Sequence, residues 1–585
     1  MDGRSKRRRS NEGSTDLMFR DRSEKRQATA TLDSAIGLHG PAVQAEFHGE
    51  GLQAVHNSNI SIGGDVNYGV SRSQCLPDLR STYPPHDKKR IVQAKGGLLE
   101  GSYRWILQHA DFVRWRNDPQ SHLLWIKGDP GKGKTMLLCG IIEELEKELK
   151  LNTEAKIISF FFCQATDSRI NNATAVLRGL IYQLVEQQES LISHVRKKYD
   201  SAGRQLFEDP NARVALSEIL SNILQDPDLQ STYLIIDALD ECETHLSQLL
   251  NLIRDTSSLS RVKWILSSRN RPDIDKELGP TGSRARLSLE LKENAEQVSR
   301  AVEIYISYCI SKLEAVQYDQ SLQDQVRHIM RRKANGTFLW VALVVEELRK
   351  VESWDVLAVL DEMPLGLEEL YRRMIQQIQQ LERKQPDFCR SVLSTVVTTY
   401  RPLHLGELAV LSDLPQNVSI AKITDMCGSF LTRRDDIVYI VHQSARDFLS
   451  TDKSLFPSSM REKHSLIFSR SLQVMSSILR RNLFDSPDLG CRIEQIQTPI
   501  PDPLVTARYS CIYWADHLRD INEIHTESGA ELSKFLREKY LYWLEALSLL
   551  KSLSEGVVSI IKLEAFVRVG LRLPQLSSPK ILNIF

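Results

Sequence analysis

One stretch restricts the fold of this chain more than any other: residues 123–139, LLWIKGDPGKGKTMLLC. The apolar residues 123–126 read as a buried strand, and residues 135–138 as the start of a helix. Between them, Gly128, Gly133, Lys134 and Thr135 satisfy the G-x-x-x-x-G-K-[ST] pattern of a phosphate-binding loop. Glycines at 128, 131 and 133 let the backbone curl until its N–H groups converge on phosphate oxygens. The helix that follows offers unpaired N–H groups and the positive end of its dipole. Lys134 supplies a mobile cation for the terminal phosphates. Thr135 supplies a hydroxyl for the Mg²⁺ that accompanies a nucleotide. Asp129, Pro130, Gly131, Lys132 and Met136 complete the expected binding set. A glycine-rich turn without a ligand is the competing reading, and the strand before, the helix after and the Lys-Thr pair argue against it.

The alternation that such a loop requires is present. The runs 157–162, 233–237 and 262–268 are continuous, apolar and of strand length, and residues 173–187 read as a helix. Continuous apolar strands spaced by helices imply a parallel sheet covered on both faces. The expected fold class is an α/β P-loop NTPase core over residues 121–280. Residues 73–120 read as a linker, closed by Pro84-Pro85, and one helical stretch over 86–117. Beyond about residue 285 the pattern turns helical almost to the end. Residues 438–441 are an exception that predicts a small β-hairpin wing beside helices.

A second acidic stretch completes the chemistry. In YLIIDALDEC (233–242) the strand ends in Asp237, followed by Asp240 and Glu241. The C-terminal end of a strand is where a parallel sheet binds ligands. There Asp237 can hold Mg²⁺ beside Thr135, and Asp240 or Glu241 can polarise the water that attacks a γ-phosphate. Acidic capping of the next helix is the alternative for the last two. Arg269 ends the following strand, where it can sense a γ-phosphate or serve as a plain surface arginine. His442 closes the predicted wing, and a lone histidine there is more often structural.

The formal net charge is zero, so no overall field draws the chain to nucleic acid or membrane. Nine cysteines without a C-x-x-C pair point to a reducing compartment. The N-terminus lacks an apolar h-region, and runs such as 338–345 are too short to span a bilayer. A cytoplasmic location is expected, with Lys6, Arg7, Arg8 and Arg9 either a nuclear address or a solvated basic run. Residues 1–45 read as a disordered basic tail. Residues 46–72 are Asn- and Gly-rich, with Ile60 and Ile62 on one strand face and Val66 and Tyr68 across the Gly63-Gly64 turn. They read as a hairpin-prone linker or as a segment that stacks with its own copies as cross-β.

Taken together these residues resemble the NACHT family of STAND-class nucleotide switches, in its fungal heterokaryon-incompatibility branch. The resemblance covers about residues 75–555. Beyond GDPGKGKT (128–135) and LIIDALDEC (234–242), it rests on KWILSSRNRPDI (263–274), NGTFLWVALVVEEL (335–348), MPLGLEELYRRMIQQI (363–378) and VHQSARDFL (441–449). It implies a helical domain over 281–360, a winged-helix domain over 361–455 and a helical extension over 456–585; relatives usually continue into sensor repeats, and none is expected within this sequence. It further implies Mg²⁺ with ATP/ADP or GTP/GDP, slow hydrolysis, and homo-oligomerisation on exchange to triphosphate. Arg269 and His442 become phosphate contacts, and Ala238 takes the place of a tiny residue the family favours. Residues 46–70 become the candidate partner-templating amyloid motif. A scaffold that holds nucleotide without turnover is the alternative.

Overall fold

The computed structural model describes residues 72–151, 156–209, 211–278, 286–415, 417–456, 459–485, 493, 496–521 and 526–570. The basic tail and the β-prone segment 46–70 lie outside the described residues.

Five parallel strands form the central sheet: β1 (Leu123–Lys127), β2 (Lys156–Phe162), β3 (Ser231–Asp237), β4 (Val262–Ser268) and β5 (Arg286–Glu290), in the order β2-β3-β4-β1-β5. Side chains alternate between two buried faces, which is why these strands read as unbroken apolar runs. Leu123, Trp125, Leu234, Ile236 and Trp264 pack against helices Ala173–Gln187, Ala212–Leu224 and Leu246–Thr256. Leu124, Ile126, Phe160, Ile235 and Ile265 face helices Glu100–Leu107, Ala110–Asn117 and Lys134–Leu151.

Two sequence expectations change here. A fifth strand follows the point where the pattern was read as helical. β5 pairs with β1 alone, and most of its residues are only half-buried, so RLSLE carries no continuous apolar run. The expected single helix over 86–117 is three: Pro84–Ala94, Glu100–Leu107 and Ala110–Asn117. Gly96 and Gly97 break the first, with φ of 84° and 105°. Pro84 starts that helix, because a first-turn proline gives up no hydrogen bond. The expected linker itself contains helix Arg72–Leu79.

After the sheet, helices Ala295–Ser311, Gln320–Ala334, Phe338–Leu348, Leu367–Gln379 and Gln385–Thr398 lead to a small antiparallel sheet. It comprises β6 (Leu403–His404), β7 (Leu431–Arg434) and β8 (Ile437–Ile440), in the order β6-β8-β7. The expected hairpin is β7–β8, joined by one further short strand. These helices and the small sheet share one apolar core that includes Trp340, Tyr371 and Phe430. Helices Met460–Ile478, Arg508–Ile521, Tyr540–Leu549 and Leu553–Gly570 form another core around Trp514 and Trp543. No described helix is long and apolar enough to cross a membrane.

Candidate nucleotide-binding site

The strand order builds the site. β4 lies between β1 and β3, so the residue that ends it emerges between the phosphate loop and the acidic strand end. Lys127 registers with Ser268, and Ile236 with Leu266, so the three strands end level at the sheet's C-terminal edge. A cleft of about 970 Å³, counting its open mouth, lies there. Pro130, Gly131, Lys132, Gly133, Lys134, Thr135 and Met136 line one wall. Asp237, Asp240, Glu241, Arg269 and His442 line the other. Gly128 and Asp129, the first residues of the expected binding set, hold the lysine: Lys134 Nζ donates to their carbonyls at 2.5 and 3.1 Å.

The loop's glycines answer to a neighbour as well as to a ligand. Gly131 and Gly133 have φ of 75° and 86°. A Cβ on Gly131 would lie 2.8 Å from Thr337 Cγ2, and one on Gly133 2.9 Å from the Phe338 ring. Phe338 N donates to Gly131 O at 2.9 Å, and Lys132 Nζ donates to Asn335 O at 2.8 Å. The stretch 335–338 of the NGTFLW sequence thus grips the outer side of the phosphate loop.

The acidic strand end is tied to β4. Ser267 Oγ donates to Asp237 Oδ1 at 2.5 Å and accepts from Ala238 N at 2.9 Å. Ala238 is left-handed (φ 52°), a conformation that costs any residue with a Cβ about 1–2 kcal/mol. Burial pushes the Asp237 carboxyl above its ordinary range, while hydrogen bonds from Ser267 and Thr135 pull it back. A buried carboxylate beside a threonine hydroxyl, with its charge opposed by burial, fits a hard divalent cation such as Mg²⁺.

Neither Asp240 nor Glu241 caps the next helix, whose first turn has no side-chain cap. Asp240 Oδ1 accepts from Arg269 N at 2.9 Å, and its Oδ2 lies 3.2 Å from Arg269 Nε. Glu241 Oε2 accepts from Ala165 N at 3.0 Å. Burial first, then the Asp240 charge, pushes the Glu241 carboxyl up to about 8.

Arg269 therefore is not a free surface arginine. Its Nε faces Asp240, and its Nη1 donates to Asp447 Oδ2 at 2.5 Å, on helix Gln443–Thr451. Its Nη2 is buried and, among the described residues, has no hydrogen-bond partner. An orphaned guanidinium nitrogen on the cleft wall is a donor matched to a phosphate oxygen.

His442 caps the same helix. Its Nδ1 accepts from Ser444 N at 3.0 Å. An accepting Nδ1 leaves the ring proton on Nε2. Burial, with the charges of Lys95, Arg269 and Lys134, holds the imidazole neutral, far below its ordinary pKa. Sequence reasoning missed Lys95, at the end of the helix before Gly96-Gly97, which also lines the cleft, and Asp447. A lysine before a glycine pair carries no motif, and Asp447 stands inside a quoted stretch with nothing to mark its partner. Tyr305, Phe338, Leu339 and Ala342 give the far end of the cleft an apolar lining.

A family model described as "Nephrocystin 3, N-terminal" matches residues 101–269. The chain is 48% identical over 577 residues to the vegetative incompatibility protein HET-E-1 of Podospora anserina, across 93% of this chain. It spans 41% of that protein's length. Among solved structures, a Walker-type ATPase of Pyrococcus abyssi is 14% identical, covering 64% of this chain and 99% of that one, with a TM-score of 0.29. The Aeropyrum pernix Orc1 protein, solved in complex with DNA, is 14% identical, covering 66% and 97%, with a TM-score of 0.26. With near-half identity to HET-E-1 along almost its whole length, and both nucleotide stretches on one cleft, this chain has an α/β P-loop core and is similar to the HET-E-like class of NACHT proteins.

Proposed function

We propose that this chain is a nucleotide-operated switch, closed around a nucleoside diphosphate and opened by exchange for a triphosphate. The observation that carries this reading is Arg269, held by Asp240 on the sheet and by Asp447 on helix Gln443–Thr451. Lys134 leaves the Gly128 and Asp129 carbonyls for the terminal phosphates. Arg269 offers its unpartnered Nη2 to a phosphate oxygen, and His442 offers its Nε2–H from the helix N-terminus. Mg²⁺, held through Thr135 and Asp237, supplies charge neutralisation on the phosphates. A γ-phosphate that recruits Arg269 competes directly with Asp447, and loss of that tie frees the helix capped by His442. In this reading ATP or GTP is hydrolysed slowly and the opened chains assemble, gathering the 46–70 strands as the output of a non-self response.

One test separates the parts. Light scattering with ADP, GDP and non-hydrolysable triphosphates reads nucleotide-dependent size. The switch predicts growth with triphosphate alone, and a size that ignores nucleotide identity sinks it. Phosphate release should fall with Lys134→Ala and with Glu241→Gln. A 46–70 peptide that stays soluble at high concentration would remove the stacking output alone.

A second reading, a scaffold that binds nucleotide without turnover, has one observation in its favour. Glu241, with its carboxyl pushed up to about 8 and its Oε2 on Ala165 N, is a poor base at neutral pH in this arrangement. Phosphate release unchanged by either variant would select it.

A further inference from the structure

A basic groove runs beside the nucleotide cleft. It shares Lys95, Tyr305, Leu339 and Ala342 with the cleft, and opens between three parts of the chain. Lys95 comes from the turn after helix Pro84–Ala94. Lys312, Arg349 and Lys350 come from the ends of helices Ala295–Ser311 and Phe338–Leu348, and Arg433 and Arg434 from β7. Against these six cations the lining holds two carboxylates, Glu346 and Asp425. The whole chain has a formal net charge of zero, so this excess is local.

Most of the groove's positive charge is uncompensated. Arg349 pairs with Glu346 at 2.5 Å, and Lys350 with Glu347 at 2.9 Å. No ion pair holds Lys95, Lys312, Arg433 or Arg434 among the described residues. Lys312 Nζ instead donates to the Tyr308 hydroxyl at 2.7 Å, and Arg434 lies over the Tyr439 ring at 5.8 Å. Lys312, Arg433 and Arg434 are exposed. The surrounding protein first, then the Arg434 charge, press the Lys95 ammonium below its ordinary range. Like charges drawn from separate segments thus face one another across a seam, an arrangement that repels unless an anion is shared between them. Arginine forks and lysine points around a concavity are the donors that clustered phosphates recruit.

We propose that this groove binds a compact anion bearing several phosphate groups, and that such an anion pins β7 to the two helices and to the Lys95 turn. The phosphates can come from a soluble phosphorylated ring or from the headgroup of a phosphoinositide lipid. The groove adjoins the nucleotide cleft through the residues the two share, so the test is made with the cleft already occupied.

The test uses the full chain with its cleft saturated by Mg-ADP. Titration calorimetry with inositol hexakisphosphate probes the soluble source. Co-sedimentation with phosphatidylcholine vesicles, with and without phosphatidylinositol bisphosphate, probes the lipid source. Binding in either arm is expected to weaken by about tenfold or more in Arg433→Gln/Arg434→Gln and in Lys312→Gln/Lys350→Gln, each pair losing two charge-assisted contacts. Affinity for fluorescent ADP should stay unchanged in both variants, which also certifies that they fold. Absence of binding in both arms overturns the proposal, and so does binding that survives both double substitutions.

Discussion

The link between Arg269 and Asp447 is the contact whose removal tests the switch most directly. Asp447→Ala leaves Arg269 bonded to Asp240, so no buried charge is stranded and the large penalty for orphaning an ion does not arise. The tie itself is unevenly wet: the Arg269 side chain is 23% exposed and that of Asp447 45%. Water at the carboxylate end screens the Coulomb part, leaving a charge-assisted hydrogen bond worth about 1–2 kcal/mol. That is a shift of about 5–30-fold in the ratio of closed to open chains. Release of fluorescent ADP should quicken by a comparable factor, and light scattering should show larger species at lower triphosphate concentration. Asp447→Asn keeps an acceptor and should fall between wild type and Asp447→Ala. Arg446→Gln, on the same helix, removes donors to the Val397 and Thr399 carbonyls together with a second tie to the nucleotide domain at the Ala165 carbonyl, so it should lower the melting temperature and quicken ADP release as well. ADP release by Asp447→Ala within about twofold of wild type, a difference of only ~0.4 kcal/mol, would refute the reasoning.

Three further outcomes follow from the geometry. Gly133→Ala forces a Cβ to 2.9 Å from the Phe338 ring at a φ of 86°, and should cost about 1–3 kcal/mol, read as a lower melting temperature and weaker nucleotide binding. Lys134→Ala should weaken binding of triphosphate more than tenfold by rough reckoning while sparing the melting temperature, since Nζ bonds only two loop carbonyls. The third concerns pH. His464 Nδ1 and His517 Nδ1 are 2.9 Å apart, His517 Nε2 meets the Tyr509 hydroxyl at 2.7 Å, and Tyr400, Arg519 and Asp520 surround the pair. Burial holds both rings below the ordinary value of 6.5. The unfolded chain then takes up more protons than the folded one as pH falls, so the pair's stabilisation is present above 6.5 and lost below it. Thermal unfolding between about pH 7 and pH 5.5 should show this slope, and His517→Gln should flatten it.

What the sequence disclosed divides along a physical line. Residues 128–135 and 237–241 were legible because phosphate chemistry demands those types at those spacings on one continuous stretch. Buried parallel strands were legible for a similar reason, since burial on both faces leaves an unbroken apolar run. β5 escaped because most of its residues are only half-buried, so RLSLE shows no apolar run, whereas β2, the other edge strand, is buried along nearly its whole length and was legible. The order β2-β3-β4-β1-β5 escaped because no local pattern records which strand lies beside which. Arg269 was legible as a strand-end arginine but not as a bridge, because its partner Asp447 is 178 positions away and looks like any helix-surface aspartate. Lys95 and the grip of residues 335–338 on the phosphate loop share that cause: each depends on a packing that brings distant segments together.

That same packing explains why the glycines at 131 and 133 carry two constraints at once. A phosphate loop needs them so that its N–H groups can face inward. Here they also leave room outside for Thr337, Phe338 and Leu339, and the Phe338 N–H is bonded to the loop's own Gly131 carbonyl. Any rotation of the 131–132 peptides to follow a phosphate must break or drag that bond and the one from Lys132 to Asn335. The loop is thus held from outside by the start of helix Phe338–Leu348, while the opposite wall of the cleft is held through Arg269 by helix Gln443–Thr451. Both helices belong to one continuous apolar core, so the two grips are anchored in the same body. A ligand that disturbs either wall therefore works against the same packed body, which is the physical requirement for a two-state response rather than a graded one.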